Sequence, residues 1–288
     1  MPHDKGQSIR MDKNNFAFGV LYATAGEAHV REAEKSAASV RKLMPDIPIA
    51  IWTDRPDSLT PGLFDHVHTI EKPLFLTMDR IEPMLKTPFQ KTLYLDSDTL
   101  LIEPVYELIE LLDRYEFAYT HAPRRICCSQ PGCGIEPSIP AWFVQPGSGV
   151  ILYKNTEMVK RVLSDWMERY MAGRKKVPMN CCDQASLWRA LYNSPVNMTV
   201  LPPEYNYRTV CPSFAGQNYK VKILHGRDRN LDRARRFVNL HQKSRIANYA
   251  YPRFFSDQFM PLVTRAIVNN SHLYKFLAKL NSSIFSKW

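Results

Sequence analysis

The chain has 288 residues, 45% of them apolar, enough to bury a full core as one large domain or two. No stretch approaches the roughly 18 consecutive apolar residues that a membrane-spanning helix needs. The net charge of +10 is uneven: residues 236–288 carry eight Lys/Arg against a single acid, Asp257, which leaves the first 235 residues nearly neutral.

The elements alternate along residues 16–121. Residues 16–22 form a first apolar run that ends on the small-residue turn Ala23-Thr24-Ala25-Gly26. Residues 27–43 set Ala28, Ala33, Ala37, Ala38 and Val40 among charges, a helix stopped by Pro45. A second strand covers 47–52 and ends on Thr53-Asp54, and a short third covers 67–70. A helix over 77–85 leads into Leu93-Tyr94-Leu95, a buried strand between Pro88 and Pro104. Residues 105–112 are helical and 117–120 extended. Residues 123–146 hold five prolines and two glycines and read as a long loop, of the kind that is functional or disordered in a compact domain. A strand at 149–153, helices at 155–171 and 183–192, and a last strand at 220–224 ending on His225-Gly226 complete the body. This alternation predicts an α/β fold: a Rossmann-like, mixed but mostly parallel sheet with helices on both faces. The expected division is a body over 1–235 and a basic, aromatic, mainly helical extension over 236–288.

Asp96-Ser97-Asp98 is the most informative segment. Ionised carboxylates need a partner or water, so a buried strand that ends on two of them is chemically costly. Hard oxygen ligands at the carboxyl edge of a strand suit Mg²⁺ or Mn²⁺, above all where phosphates complete the coordination. That edge is also where α/β sheets bind ligands. The plainer reading is a strand leaving the core through an acidic turn, with Asp98 capping a following helix.

The order of these strand-end features resembles that of GT-A glycosyltransferases, close to the glycogenin-like family 8 and related nucleotide-diphospho-sugar transferases. The matching segments are Leu21-Tyr22-Ala23-Thr24, Ile51-Trp52-Thr53-Asp54, the strand from Thr92 to Thr99, Gly147-Ser148-Gly149-Val150-Ile151-Leu152-Tyr153, Asp183-Gln184 and Leu224-His225-Gly226. The resemblance covers roughly residues 16–230. It implies that Asp96, Asp98 and His225 hold Mn²⁺ or Mg²⁺ against a donor diphosphate, with Ser97 and Gly226 beside them. It implies that Tyr22, Ala23, Thr24 and Asp54 line the base and ribose, that Arg80 contacts phosphate, and that Asp183 and Gln184 face the transferred sugar or the acceptor. Ser148 stands where the family has the Asn of Asn-x-Gly. Arg227-Asp228-Arg229 replaces a lysine-rich ending, and arginine suits bidentate phosphate contact. The implied reaction moves a sugar from a nucleotide donor, UDP-linked by resemblance, to a hydroxyl of a glycan, glycolipid or protein with retention. An inverting reaction would need a base, for which Asp183 is the candidate.

Each of these residues also has a plainer reading: Asp54 a cap or turn residue, Asp183 an N-cap, Arg80 a solvated helix residue and His225 a buried, hydrogen-bonded histidine. The six cysteines (127, 128, 133, 181, 182 and 211) lack C-x-x-C spacing and read as reduced thiols, with a zinc site or a loop-stapling disulfide as the other options. The first residues, Met1-Pro2-His3-Asp4-Lys5-Gly6, lack the apolar segment of a secretory signal, so the expected location is cytoplasmic. The basic aromatic tail reads as a cap on the body or as an interfacial segment for anionic lipid. Nucleic acid is not expected as a partner, since no recognised module accompanies the tail. A haloacid-dehalogenase-type phosphatase is disfavoured because Thr99 follows Asp98 directly. A non-catalytic sugar-nucleotide-binding protein is the remaining rival.

Overall fold

The computed structural model describes residues 16–122, 138–176, 183–209, 213–227, 229–240, 245–248 and 251–255. All six cysteines, Asp228 and most of the basic tail lie outside these residues.

Seven strands form the main sheet: β1 (Phe16–Thr24), β2 (Ile49–Thr53), β3 (His66–Thr69), β4 (Phe89–Leu95), β6 (Phe117–His121), β7 (Pro146–Lys154) and β8 (Met198–Leu201). Their order is β3-β2-β1-β4-β7-β6-β8, parallel except for β7, which runs antiparallel to both β4 and β6. This is the mixed, mostly parallel sheet that the alternation predicts. The apolar runs of β1, β4 and β7 are long because both of their faces are covered. On one face Val20, Tyr22, Leu93, Leu95, Val150 and Leu152 pack against α1 (Glu27–Leu43) and α3 (Glu107–Arg114). On the other, Leu21, Tyr94, Ile151 and Tyr153 pack against α2 (Ile81–Leu85), α4 (Glu157–Lys176) and α5 (Asp183–Tyr192). Successive strand residues thus serve opposite layers. Each large side chain so buried contributes roughly 1.5–3 kcal/mol of transfer free energy. The small buried residues Ala33, Ser36 and Ala37 let α1 lie close to the sheet.

The segment after Asp98 differs from the expected helix. It is a strand, β5 (Thr99–Leu101), which pairs antiparallel with β11 (Ile223–His225), itself parallel to β9 (Tyr207–Arg208). Three residues are too few for a periodic signal, so the strand depends on its partner. In this register His225 lies opposite Thr99, one residue from Asp98. A third core forms around Leu100, Tyr207, Leu224, Leu231 and Ala234 beneath α6 (Arg229–Phe237). The boundary expected at 235/236 falls inside α6. Beyond it, the described residues of the extension expected to be mainly helical are two strands, β12 (Arg245–Asn248) and β13 (Tyr251–Phe255). β12 pairs with β10 (Ser213–Ala215) and β13 with β12, so the backbone ladder joins this part of the extension to the body.

Candidate active site

β4 delivers the acid pair to the carboxyl edge of the sheet, and the turn is held by main chain on both sides. The Asp96 N–H donates to the Gly149 carbonyl of β7 (2.9 Å), and the Gly226 N–H donates to the Asp98 carbonyl (2.9 Å). Thr99 Oγ1 donates to the Asp96 carbonyl at 2.8 Å. These bonds bring the Asp96, Asp98 and His225 side chains together, with one ligand atom from each within 4.8 Å of the others. His225 Nε2 lies 3.1 Å from Asp98 Oδ1 and 3.8 Å from Asp96 Oδ2.

The tautomer of His225 follows from its other nitrogen. Asn206 Nδ2 donates to Thr120 Oγ1 (2.7 Å), which turns Asn206 Oδ1 toward His225 Nδ1, also at 2.7 Å. Arg208 Nη1 lies 3.3 Å from that same nitrogen, but a protonated Nδ1 cannot also accept from it, and the shorter contact to Asn206 sets the proton. With its proton on Nδ1 alone, the ring offers an Nε2 lone pair that a cation could share with the two carboxylates; with a second proton on Nε2 it donates to Asp98 Oδ1 at 3.1 Å. Ligands about 2.0–2.2 Å from a common ion, at right angles across it, lie roughly 3 Å apart. The two oxygens and one imidazole nitrogen have the donor chemistry for such an ion, and the Asn206 amide oxygen behind the histidine holds the ring in the orientation a ligand would need.

The surroundings set the charge states. Burial alone would raise the Asp98 carboxyl, but the His225 hydrogen bond and charge, with Arg208 and Arg227 nearby, hold it well below the usual carboxylate range. Arg80 is buried, with 6% of its surface exposed. Its Nη1 donates to Asp96 Oδ1 (2.8 Å) and the Ser148 carbonyl (2.9 Å), and its Nη2 donates to Asp183 Oδ2 (3.2 Å). Desolvation would lower this guanidinium's pKa, but Asp96, the Tyr94 hydroxyl and Asp183 keep it above its ordinary value. Tyr94 donates to Asp96 Oδ1 (2.9 Å), and burial beside that anion pushes the phenol well up. Arg80 lies 5.7 Å from the Tyr94 ring centroid and 5.9 Å from that of Trp166, whose Nε1 donates to the Asp183 carbonyl (2.8 Å). The buried guanidinium thus joins the end of β4 to the start of α5.

Gly149 is required by this packing. A Cβ there would sit 2.1 Å from His225 Cε1 and 2.7 Å from Asp96 Oδ2. The glycine of the Gly147-Ser148-Gly149 segment therefore serves clearance, and Ser148 Oγ donates to Asp183 Oδ2 at 3.0 Å.

A cleft of about 280 Å³ opens beside the acid pair, lined by Ala23, Thr24, Ala25, Phe75, Leu76, Arg80, Tyr94, Asp96, Ser97, Asp98 and Arg227 among others. Ala23, Thr24, Arg80 and Ser97 are where the sequence reading expects ligand contact. Tyr22 is not: it is fully buried in the α1 layer, with its hydroxyl 2.8 Å from Ser36 Oγ. Strand parity separates it from Ala23, so the expectation that Tyr22, Ala23 and Thr24 act together is corrected for Tyr22. Asp54 accepts from the Gly26 N–H (2.9 Å), bracing the β1–α1 turn, and is not among the lining residues. Asp183 and Gln184 begin α5, both nearly buried, and Gln184 Oε1 has no hydrogen-bond partner among the described residues.

Several residues escaped the sequence reading. Glu32 accepts from Ser97 Oγ (3.2 Å), faces His29 Nδ1 (3.1 Å) and pairs with the exposed Arg227 (3.5 Å), which itself lies 4.0 Å from Asp98. Asn206, Thr120 and Trp166 are further cases. Their roles come from contacts distant in sequence, and nothing local marks them.

A strand order of 3-2-1-4-7-6-8, with one antiparallel strand next to the acid-bearing one, defines a GT-A-type Rossmann-like fold. A solved structure that shares it is the galactosyltransferase LgtC in complex with donor and acceptor sugar analogs, with a TM-score of 0.52 and 15% sequence identity over 74% of this chain and 88% of that one. No protein-family model matches the chain, and no curated protein matches it in sequence.

Proposed function

We propose that this chain is a glycosyltransferase that depends on Mn²⁺ or Mg²⁺ and moves a sugar from a nucleotide-diphosphate donor, UDP-linked, to a hydroxyl of a glycan or glycolipid. One observation carries the reading: one ligand atom each from Asp96, Asp98 and the buried His225 converge within 4.8 Å, and the two acids line the cleft beside the sheet's carboxyl edge. A divalent ion held by these three would act as a Lewis acid on the departing diphosphate.

The protein's own groups have separable tasks. Arg80 and Tyr94 fix Asp96 by two donors to one oxygen, which leaves Oδ2 for the ion. Arg227, largely exposed and only loosely tethered, is free to swing onto diphosphate oxygens. Asp183 Oδ2 carries donors from both Arg80 and Ser148, which suits a fixed anion that orients a sugar hydroxyl better than a base that must take a proton. That favours retention over inversion. Gln184 Oε1, without a hydrogen-bond partner among the described residues and costly to bury so at roughly 1–3 kcal/mol, suits acceptance from a sugar hydroxyl. The relationship to glycogenin-like family 8 belongs to this same reading.

Calorimetric titration of UDP with and without Mn²⁺, together with metal-dependent hydrolysis of a panel of nucleotide sugars, tests the proposal. Asp98→Ala should abolish both. Metal-independent nucleotide binding, or unchanged hydrolysis in Asp98→Ala, would overturn it. Nucleotide binding without turnover of any donor would favour the non-catalytic binding protein.

Among the described residues no helix is long and apolar enough to cross a membrane. In this reading the enzyme works in the cytoplasm and meets a glycolipid acceptor through its basic tail. Co-sedimentation with anionic liposomes should weaken in the full chain carrying Lys275→Gln, Lys279→Gln and Lys287→Gln. Undiminished binding would reject the tail's role.

A further inference from the structure

Phe75 is the most conspicuous aromatic residue in the cleft. It is 68% exposed, and its backbone is in the left-handed region at φ 54°, which a bulky residue rarely adopts. The conformation is built in. The Asp79 carboxylate accepts from the N–H of Leu74 (3.0 Å) and of Leu76 (3.2 Å), the two neighbours of Phe75, and so holds the loop in its turned-out form. Among the described residues no other aromatic ring packs on Phe75. The ring leans toward the β1–α1 turn, with its Cε1 3.9 Å from where a Cβ on Gly26 would lie. An exposed apolar ring on a strained backbone is unfavourable unless something uses it, and such outliers gather at ligand clamps.

The cleft has two chemically distinct ends. At one are Asp96, Asp98 and Arg227, suited to an ion and a diphosphate; the Phe75 ring, beside Gly26 at the β1–α1 turn, shares the lining with the small side chains of Ala23, Thr24 and Ala25. A nucleoside diphosphate has the matching polarity, a charged end and a flat π-faced end, and aromatic rings stack on bases of any sequence. We propose that Phe75 is the platform on which the donor's base stacks, closing it against Ala23, Thr24 and Ala25. This rests on the nucleotide-donor reading above and extends it to a residue for which the sequence offers no signal.

The test uses the full chain with Mn²⁺ and compares binding of inorganic pyrophosphate with binding of whichever of UDP, GDP, ADP and CDP the wild type takes most tightly. Phe75→Ala should weaken nucleotide binding roughly tenfold, within the range for loss of a stacked base, and leave pyrophosphate unchanged. Phe75→Trp should restore nucleotide affinity, and its added indole emission should be quenched by nucleotide but not by pyrophosphate. Equal nucleotide affinity in Phe75→Ala, or a parallel loss for pyrophosphate, overturns the stacking role while the donor reading stands. A Phe75→Trp variant that neither rescues binding nor is quenched also overturns it. A wild type that binds no nucleotide with Mn²⁺ overturns both.

Discussion

Gly149→Ala puts the geometry of the centre to a direct test. The new methyl would lie 2.1 Å from His225 Cε1, where carbon atoms settle at about 3.5–4.0 Å, and 2.7 Å from Asp96 Oδ2. Neither neighbour can yield cheaply. His225 is fixed by Asn206 at 2.7 Å and by the β5–β11 ladder, and Asp96 by Arg80 and Tyr94. The strain should cost about 1–3 kcal/mol of stability, as overpacking does. Displacing the imidazole or the carboxylate should lower Mn²⁺ affinity by at least the roughly 10–100-fold seen when a ligand's support is lost. Free Mn²⁺ read by electron paramagnetic resonance gives the affinity, and a circular-dichroism melt gives the stability. Gly62→Ala is the control: no atom lies within 4 Å of the added methyl, but φ is 75°. It should cost about 1 kcal/mol and leave Mn²⁺ binding alone. A Gly149→Ala protein that holds Mn²⁺ within twofold of wild type, with an unchanged melt, would refute the packing argument and the metal site built on it.

Asn206→Leu removes the acceptor that sets the His225 tautomer. Mn²⁺ affinity should fall about 10–100-fold while the melt moves little, and a melt shift without an affinity change would make Asn206 merely structural. Arg80→Met strands the buried Asp183 carboxylate and removes a partner of the partly exposed Asp96, so urea unfolding should report a loss of up to about 3–5 kcal/mol, partly recovered in Arg80→Met/Asp183→Asn. A loss below about 1 kcal/mol would show that the guanidinium is not what joins β4 to α5. Tyr22→Phe deletes the hydroxyl bonded to Ser36 and should cost about 1 kcal/mol or less with nucleotide affinity unaltered. A drop in affinity would return Tyr22 to the base site.

The parts of this fold that could be read from residue order are those whose cause is local. The apolar runs of β1, β4 and β7, the alanine stripe of α1 and the acid pair at a strand end each announce themselves within a few residues. His225 was legible because it too closes a strand. Tyr22 sits one step inside the strand, where its side chain joins the α1 layer, while Ala23, Thr24 and Ala25 line the cleft at the point where β1 gives way to the turn. Asn206, Glu32 and Asp79 were illegible for another reason. Asparagine and the acids are common on any surface; contacts across long sequence distances, 19 residues for Asn206 with His225 and 65 for Glu32 with Ser97, give the first two their tasks, and Asp79 takes its own from the turn at Phe75, three and five residues away from its partners. The true role of Arg80 was hidden likewise: a lone arginine on a short helix gives no sign that Asp183, 103 residues later, will meet it.

The antiparallel strand β7 has a consequence for how the molecule is made. It lies between β4 and β6 in the sheet but follows both in the chain. As the polypeptide leaves the ribosome, the strand bearing the acid pair therefore waits with one unsealed margin until residue 154 has been synthesised, and the two carboxylates wait for their histidine until residue 225. The proposed metal centre would accordingly be complete only late in synthesis. Retention of Mn²⁺ by a nascent or truncated chain would mark the moment at which the first and last thirds of the polypeptide have found each other.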